Sequence, residues 1–166
     1  MSVIHTIGDS HCIFAMEGGG YPQNAEIKIN DETKQKSHWL GPILCYSFGK
    51  ENLKRCDIRK FDIKDNDTVI FCFGEIDCRC HIHKHITNEN TYQKIIDNIV
   101  DNYTEAIKIN INVCEKKLKN ICIYNVVPPI KKEGLANLSS EFPHLGTNEE
   151  RKQYVLYFNK CIKKKC

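Results

Sequence analysis

The sequence predicts an α/β domain built on a parallel sheet. Apolar, β-branched runs recur at Val3–Ile7, Thr68–Phe73 and Ile121–Val127. A stretch of helical periodicity, Thr91–Leu118, separates the last two, and Thr147-Asn148-Glu149-Glu150 opens another helix after them. Strands alternating with helices, rather than joined by two-residue turns, imply crossover connections and parallel pairing.

Val3, Ile4 and Ile7 suit a buried strand, and Gly8 permits a tight turn at its carboxyl end. His11–Met16 is able to start a helix, which Gly18-Gly19-Gly20 and Pro22 break. The glycine triplet reads as a surface loop, because no Lys-Ser/Thr pair follows to make a phosphate cradle. Ala25–Asn30 alternates in period two and is a second strand, whereas Asp31–Lys36 is polar and reads as a loop. Ser37–Tyr46, interrupted by Gly41-Pro42, predicts a strand end turning into a short helix. Thr68–Phe73 is apolar on both faces, the pattern of a central parallel strand. The helix from Thr91 presents Tyr92, Ile95, Ile96, Ile99, Tyr103, Ile107, Cys114 and Leu118 on one broad face. Ile121–Val127 ends at Pro128-Pro129, and the last helix buries Tyr154, Val155, Phe158, Cys161 and Ile162 behind a capping box.

Residues 1–166 read as one domain with a full-sized core, and 41% hydrophobic with 27% charged residues is ordinary for a globular protein. A net charge of +3, with the lysines spread along the chain, gives no basic patch for nucleic acid. Lys163-Lys164-Lys165 complements a helix dipole instead. No apolar run approaches the ~20 residues of a membrane span, and with the first strand so near the start no signal peptide is expected. Ten cysteines lie in core-like settings, Cys72 and Cys122 in strands and Cys114 and Cys161 on helix faces. They read as reduced thiols, so a cytoplasmic protein is expected.

Two strand ends carry chemistry. Gly8-Asp9-Ser10-His11 follows the first strand, and Gly74-Glu75-Ile76-Asp77-Cys78-Arg79 follows the central one. The carboxyl ends of parallel strands are where such sheets hold their ligands. In these two motifs, in this order, the chain resembles the SGNH (GDSL-like) hydrolase superfamily, in particular a branch that pairs GDSH with GEIDCR. The resemblance covers nearly the whole chain. It implies a flavodoxin-like three-layer α/β/α sandwich, with sheet order 2-1-3-4 and the last strand missing. It also implies a serine esterase or acyl transferase acting on a small-molecule or glycan ester, without a cofactor. Ser10 would be the nucleophile and its N–H an oxyanion donor. Gly41 would be the second donor, with Gly49 as the fallback. Asp77, Arg79 and His81 complete the catalytic set, while Asp9, His11, Gly74 and Glu75 surround the substrate.

Two departures from the family pattern stand out. Ile76 occupies the place of the family's oxyanion-binding Asn, which points to Arg79 as a substitute. The family's C-terminal Asp-x-x-His, the source of its general base, is absent. His81 and then His144 are the candidate replacements, His11 being expected to point away from the neighbouring nucleophile in a structural role, and Glu75, Asp77 and Arg79 are expected to form a buried ion-pair network. Other readings remain: a catalytically degenerate ligand- or glycan-binding relative, or a metal protein built on Cys78-x-Cys80-His81-x-His83-x-His85. That spacing matches no standard zinc template, and no metal is expected.

Overall fold

A computed structural model of the chain describes residues 2–14, 24–128 and 141–166. The glycine triplet 18–20 and most of the connection before the last helix lie outside the described residues. The fold is mixed α/β, consistent with a three-layer arrangement. Its five strands are β1 (Ser2–Gly8), β2 (Asn24–Lys28), β3 (Thr33–Trp39), β4 (Thr68–Cys72) and β5 (Asn120–Ile123), in the order β2-β3-β1-β4-β5. β1 runs parallel to β3 and β4, and β4 to β5; β2 is an antiparallel edge.

The expected 2-1-3-4 order therefore holds for the parallel strands, but the strand beside β1 is Thr33–Trp39, not Ala25–Asn30. Asp31–Lys36, expected as a loop, is largely strand. Its lysines misled because Lys34 reaches out to Glu26 on the neighbouring edge at 2.6 Å. The alternate residues Gln35 and Ser37 are buried and hydrogen-bonded to Thr6 of β1. A strand whose inward side chains are polar but mutually satisfied carries no hydrophobic alternation to read.

Alternation assigns the two sheet faces. Ile7, Val69 and Phe71 pack in one core with α1 (Cys45–Glu51), α3 (Tyr92–Cys114) and α4 (Asn148–Lys165), a one-turn α2 (Ile82–Lys84) lying between α1 and α3 in the chain. Phe48 of α1 sits at its centre, with ring centroids 5.0 Å from Phe73 and 5.7 Å from Tyr103. The opposite face bears Cys12, Ile13 and Cys72, with Trp39 and Ile70 beside them. All ten cysteines are free, but Cys122 is exposed because β5 is the sheet edge among the described residues. No helix of the described residues is long and apolar enough to cross a membrane.

The capping box of α4 forms as its sequence predicts. Thr147 Oγ1 accepts from the Glu150 N–H at 3.1 Å, and Glu150 accepts from the Thr147 N–H at 2.7 Å. Thr147→Ala is expected to cost about 1 kcal/mol, seen as a fall of about 2–4 °C in Tm.

A buried polar cluster near the start of the sheet gives a pH dependence. The Asp67 carboxylate accepts from the N–H groups of Val3 (3.0 Å) and Lys64 (2.8 Å) and lies 3.2 Å from His5 Nε2. An ionised carboxylate only accepts, so His5 donates from Nε2 and receives at Nδ1 the proton of His38 Nε2, 2.9 Å away. Burial pushes both imidazoles down, His38 to about 4. The unfolded chain takes up these protons near pH 6.5, well before the folded one does. Stability is therefore complete above that pH and falls as pH drops toward 4, by on the order of 3 kcal/mol from His38. Urea midpoints between pH 7 and 4 are expected to fall less steeply in His38→Gln.

Candidate functional site

The carboxyl edge of β1 is held against β4 by close backbone approach. A Cβ on Gly8 would lie 1.9 Å from the Cys72 carbonyl oxygen, so only glycine fits. The Asp9 N–H then donates to that carbonyl at 3.2 Å. Ser10–Cys12 form a single 3₁₀ turn, shorter than the helix expected from His11. Thr6 Oγ1 stops it by holding the Cys12 carbonyl at 2.6 Å, and Cys12 and Ile13 are packed against the sheet.

Asp9 caps this turn. Its buried Oδ1 accepts from the His11 backbone N–H at 2.9 Å and lies 3.1 Å from His11 Nδ1. Asp9 Oδ2 is buried with no hydrogen-bond partner among the described residues. The Asp9 hydrogen bond raises the His11 pKa above its usual value, against the opposing effect of burial. With Nδ1 donating to Asp9, Nε2 is left as the acceptor of the neutral ring. Ser10 is half-buried, and its Oγ makes no hydrogen bond among the described residues.

The second motif reaches the same edge. Gly74 turns the chain after β4 at φ +114°, where a Cβ would also meet Val126 at 2.8 Å. Glu75 follows and shares with Asp9 and His11 a cleft of about 10 Å³, which Tyr124 and Asn125 also line. That is room for about one water. Burial raises the Glu75 pKa, while Arg79 and His11 oppose the rise. The Arg79 guanidinium pairs with Glu75 at 3.2 Å, and His144 and Arg151 line the small void on the other side of that pair. Leu40 donates its N–H to the Gly8 carbonyl at 2.9 Å, placing Gly41 beside the serine turn with φ +90° and open space around it.

Ser10, Asp9, His11, Gly41, Gly74, Glu75 and Arg79 thus gather at one edge, with His144 next to them. Two expected members are placed elsewhere. Asp77 is fully buried and accepts from the N–H groups of Cys45 (2.6 Å) and Tyr46 (3.1 Å), which starts α1 at Cys45 rather than at Pro42. Burial pushes its carboxyl up to about 7, opposed by those two donors. The ion pair therefore contains Glu75 and Arg79 but not Asp77. His81 lies in a π-helical turn (Asp77–His81) that leads into α2 (Ile82–Lys84), and its ring packs at a tilt against Tyr46, centroids 4.5 Å apart. The fallback donor Gly49 is excluded, because it is buried inside α1, where a Cβ would meet Asn102 of α3 at 2.9 Å. Among the described residues no group of three or more His, Cys, Asp and Glu side chains is arranged to hold a metal ion. Cys78 and Cys80 are core residues, and His83 Nδ1 lies 3.2 Å from the Tyr154 hydroxyl.

Sequence reasoning missed the role of Asp9 as a cap and orienter. The Asp-x-His spacing was the available signal, since an Asp carboxylate commonly accepts from the N–H two residues on. It also missed the buried Arg151, whose guanidinium holds the carbonyls of Leu145 (3.1 Å) and Gly146 (2.8 Å) next to His144. An arginine in a lysine-rich helix gives no signal of burial. Comparison with known proteins finds no match to the chain, whether among family models, curated sequences or solved structures.

Proposed function

We propose that the chain is a serine-dependent carboxylic-ester hydrolase or acyl transferase of SGNH type, acting on a small-molecule or glycan ester. The observation that supports it best is the Asp9–His11 hydrogen bond beside Ser10, at the rim where Gly41 and the Gly74–Arg79 turn meet. Asp9 fixes the imidazole so that Nε2 is the basic nitrogen. Ser10 Oγ and His11 share no direct hydrogen bond among the described residues, and in the proposed reaction the imidazole takes the hydroxyl proton directly or through one water. Ser10 Oγ attacks the acyl carbonyl and forms the acyl ester, and the protonated imidazole returns the proton to the leaving alcohol. Water or another hydroxyl then attacks the acyl-serine by the same route in reverse. The N–H groups of Ser10 and Gly41 receive the oxyanion, and Arg79, with Ile76 unable to donate, adds positive charge nearby.

A fluorophosphonate probe tests the reading. The wild-type chain is expected to label once, at Ser10, with labelling slowed at least tenfold in His11→Gln. The second reading, a non-catalytic ligand-binding relative, draws on the unpaired Ser10 hydroxyl and on Ile76. No labelling at any pH from 6 to 9 decides for it.

A further inference from the structure

On the helical side of the molecule, apart from the serine rim, lies a cavity of about 460 Å³, within the ~300–1,000 Å³ range of small-molecule sites. Ser10, Asp9 and His11 do not line it. One wall is a ladder of rings: His81 has its centroid 4.5 Å from Tyr46 and 4.4 Å from His85. The other wall is the start of α3 with the loop before it, carrying Asn90, Lys94 and Asn98, and Ile95 and Ile99 form an apolar floor.

The polar groups are arranged to donate. Asn98 Oδ1 already accepts from Asn102 at 3.1 Å, which leaves the Asn98 amide N–H₂ as its free end. Lys94 reaches the Glu89 carbonyl at 3.1 Å and keeps further ammonium protons. The Lys50 ammonium stands 5.8 Å from the Tyr46 ring centre, and Lys84 acts on His81 as a further cation. None of the described residues lining the cavity is acidic. Burial, with His85 and Lys84, pushes His81 down to about 4, so the His81 ring is uncharged near neutrality and presents a flat face and a single N–H donor. Rings, an apolar floor, amide donors and lysines without a carboxylate suit a ligand that is planar at one end and negative at the other.

We infer that this cavity binds a small organic anion with a planar body, its ring against Tyr46, His81 and His85 and its charged end at Lys94 and the Asn98 amide. A phosphate monoester and a carboxylate share this chemistry. The site is independent of Ser10.

The test is an NMR titration of the ¹⁵N-labelled full chain with phenyl phosphate, phenol, benzoate and inorganic phosphate. Phenyl phosphate or benzoate is expected to give saturable shifts at the Asn98 side-chain amide and the His81 and His85 rings, and the tighter of the two identifies the charged group. Lys94→Gln, an exposed position that leaves the core untouched, is expected to weaken that binding at least tenfold. Binding is expected to be unchanged in Ser10→Ala, and loss there would assign the ligand to the serine rim and overturn the inference. It is also overturned if no probe saturates, if phenol binds as well as the anions, if inorganic phosphate binds as well as phenyl phosphate, or if Lys94→Gln changes nothing.

Discussion

Ser10→Ala is expected to lower the hydrolysis of p-nitrophenyl acetate by more than about 10³-fold, because no other nucleophile takes its place in the proposed reaction. His11→Gln removes the proposed base and is expected to cost about 10²–10⁴-fold. The pH profile adds a readout that depends on the imidazole itself. A base works only when unprotonated, and the Asp9 hydrogen bond raises the His11 pKa. The rate of the wild-type chain is therefore expected to rise with pH through a midpoint above 6.5, the ordinary histidine value. Asp9→Asn is expected to bring that midpoint down and to lower the plateau. Steady-state rates from pH 5 to 9 check this. A midpoint at or below 6.5 in the wild-type chain, or full activity in Ser10→Ala, would count against the assignment.

Gly8→Ala is expected to destabilise the fold by more than about 4 kcal/mol, a loss of at least about 8 °C in Tm for a chain of this size. The new methyl group would lie 1.9 Å from a backbone carbonyl, that of Cys72. Backbone cannot rotate away as a side-chain tip can, so β1 and β4 must separate at their carboxyl ends. That movement breaks the Asp9–Cys72 hydrogen bond and opens the cluster of Cys12, Ile13 and Cys72. Gly41→Ala is the matched control. Its Cβ meets nothing within 4 Å, so only the strain of φ +90° is felt, about 1–2 kcal/mol. Thermal melts of the two variants separate a steric requirement from a conformational one. Equal losses would show that the close approach at Gly8 is not what holds the strands.

The elements whose burial shows as periodicity were legible: β1, β4, α3 and α4 lie where apolar spacing puts them, and the α4 cap forms from a local motif. The two glycine-led motifs also read correctly as ends of neighbouring parallel strands, because strand-end position follows from strand limits. β3 was less legible because its buried face is satisfied by hydrogen bonds across the sheet rather than by apolar contact. Cys122 was misjudged because an apolar edge strand and an apolar central strand have the same composition.

By itself the sequence determined the fold class, the strand ends that bear Ser10 and Glu75, and the caps. These depend on backbone preference and burial over a few adjacent residues. Only the tertiary structure decided which polar groups meet. Asp77 lies within three residues of Gly74 yet serves the first amides of α1, and His81 leaves the rim for the ring ladder with Tyr46 and His85. Asp9 holds His11, and Arg79 holds Glu75. Such partners are chosen when distant segments pack and each buried polar group takes the nearest donor or acceptor. Spacing along the chain carries no record of that choice.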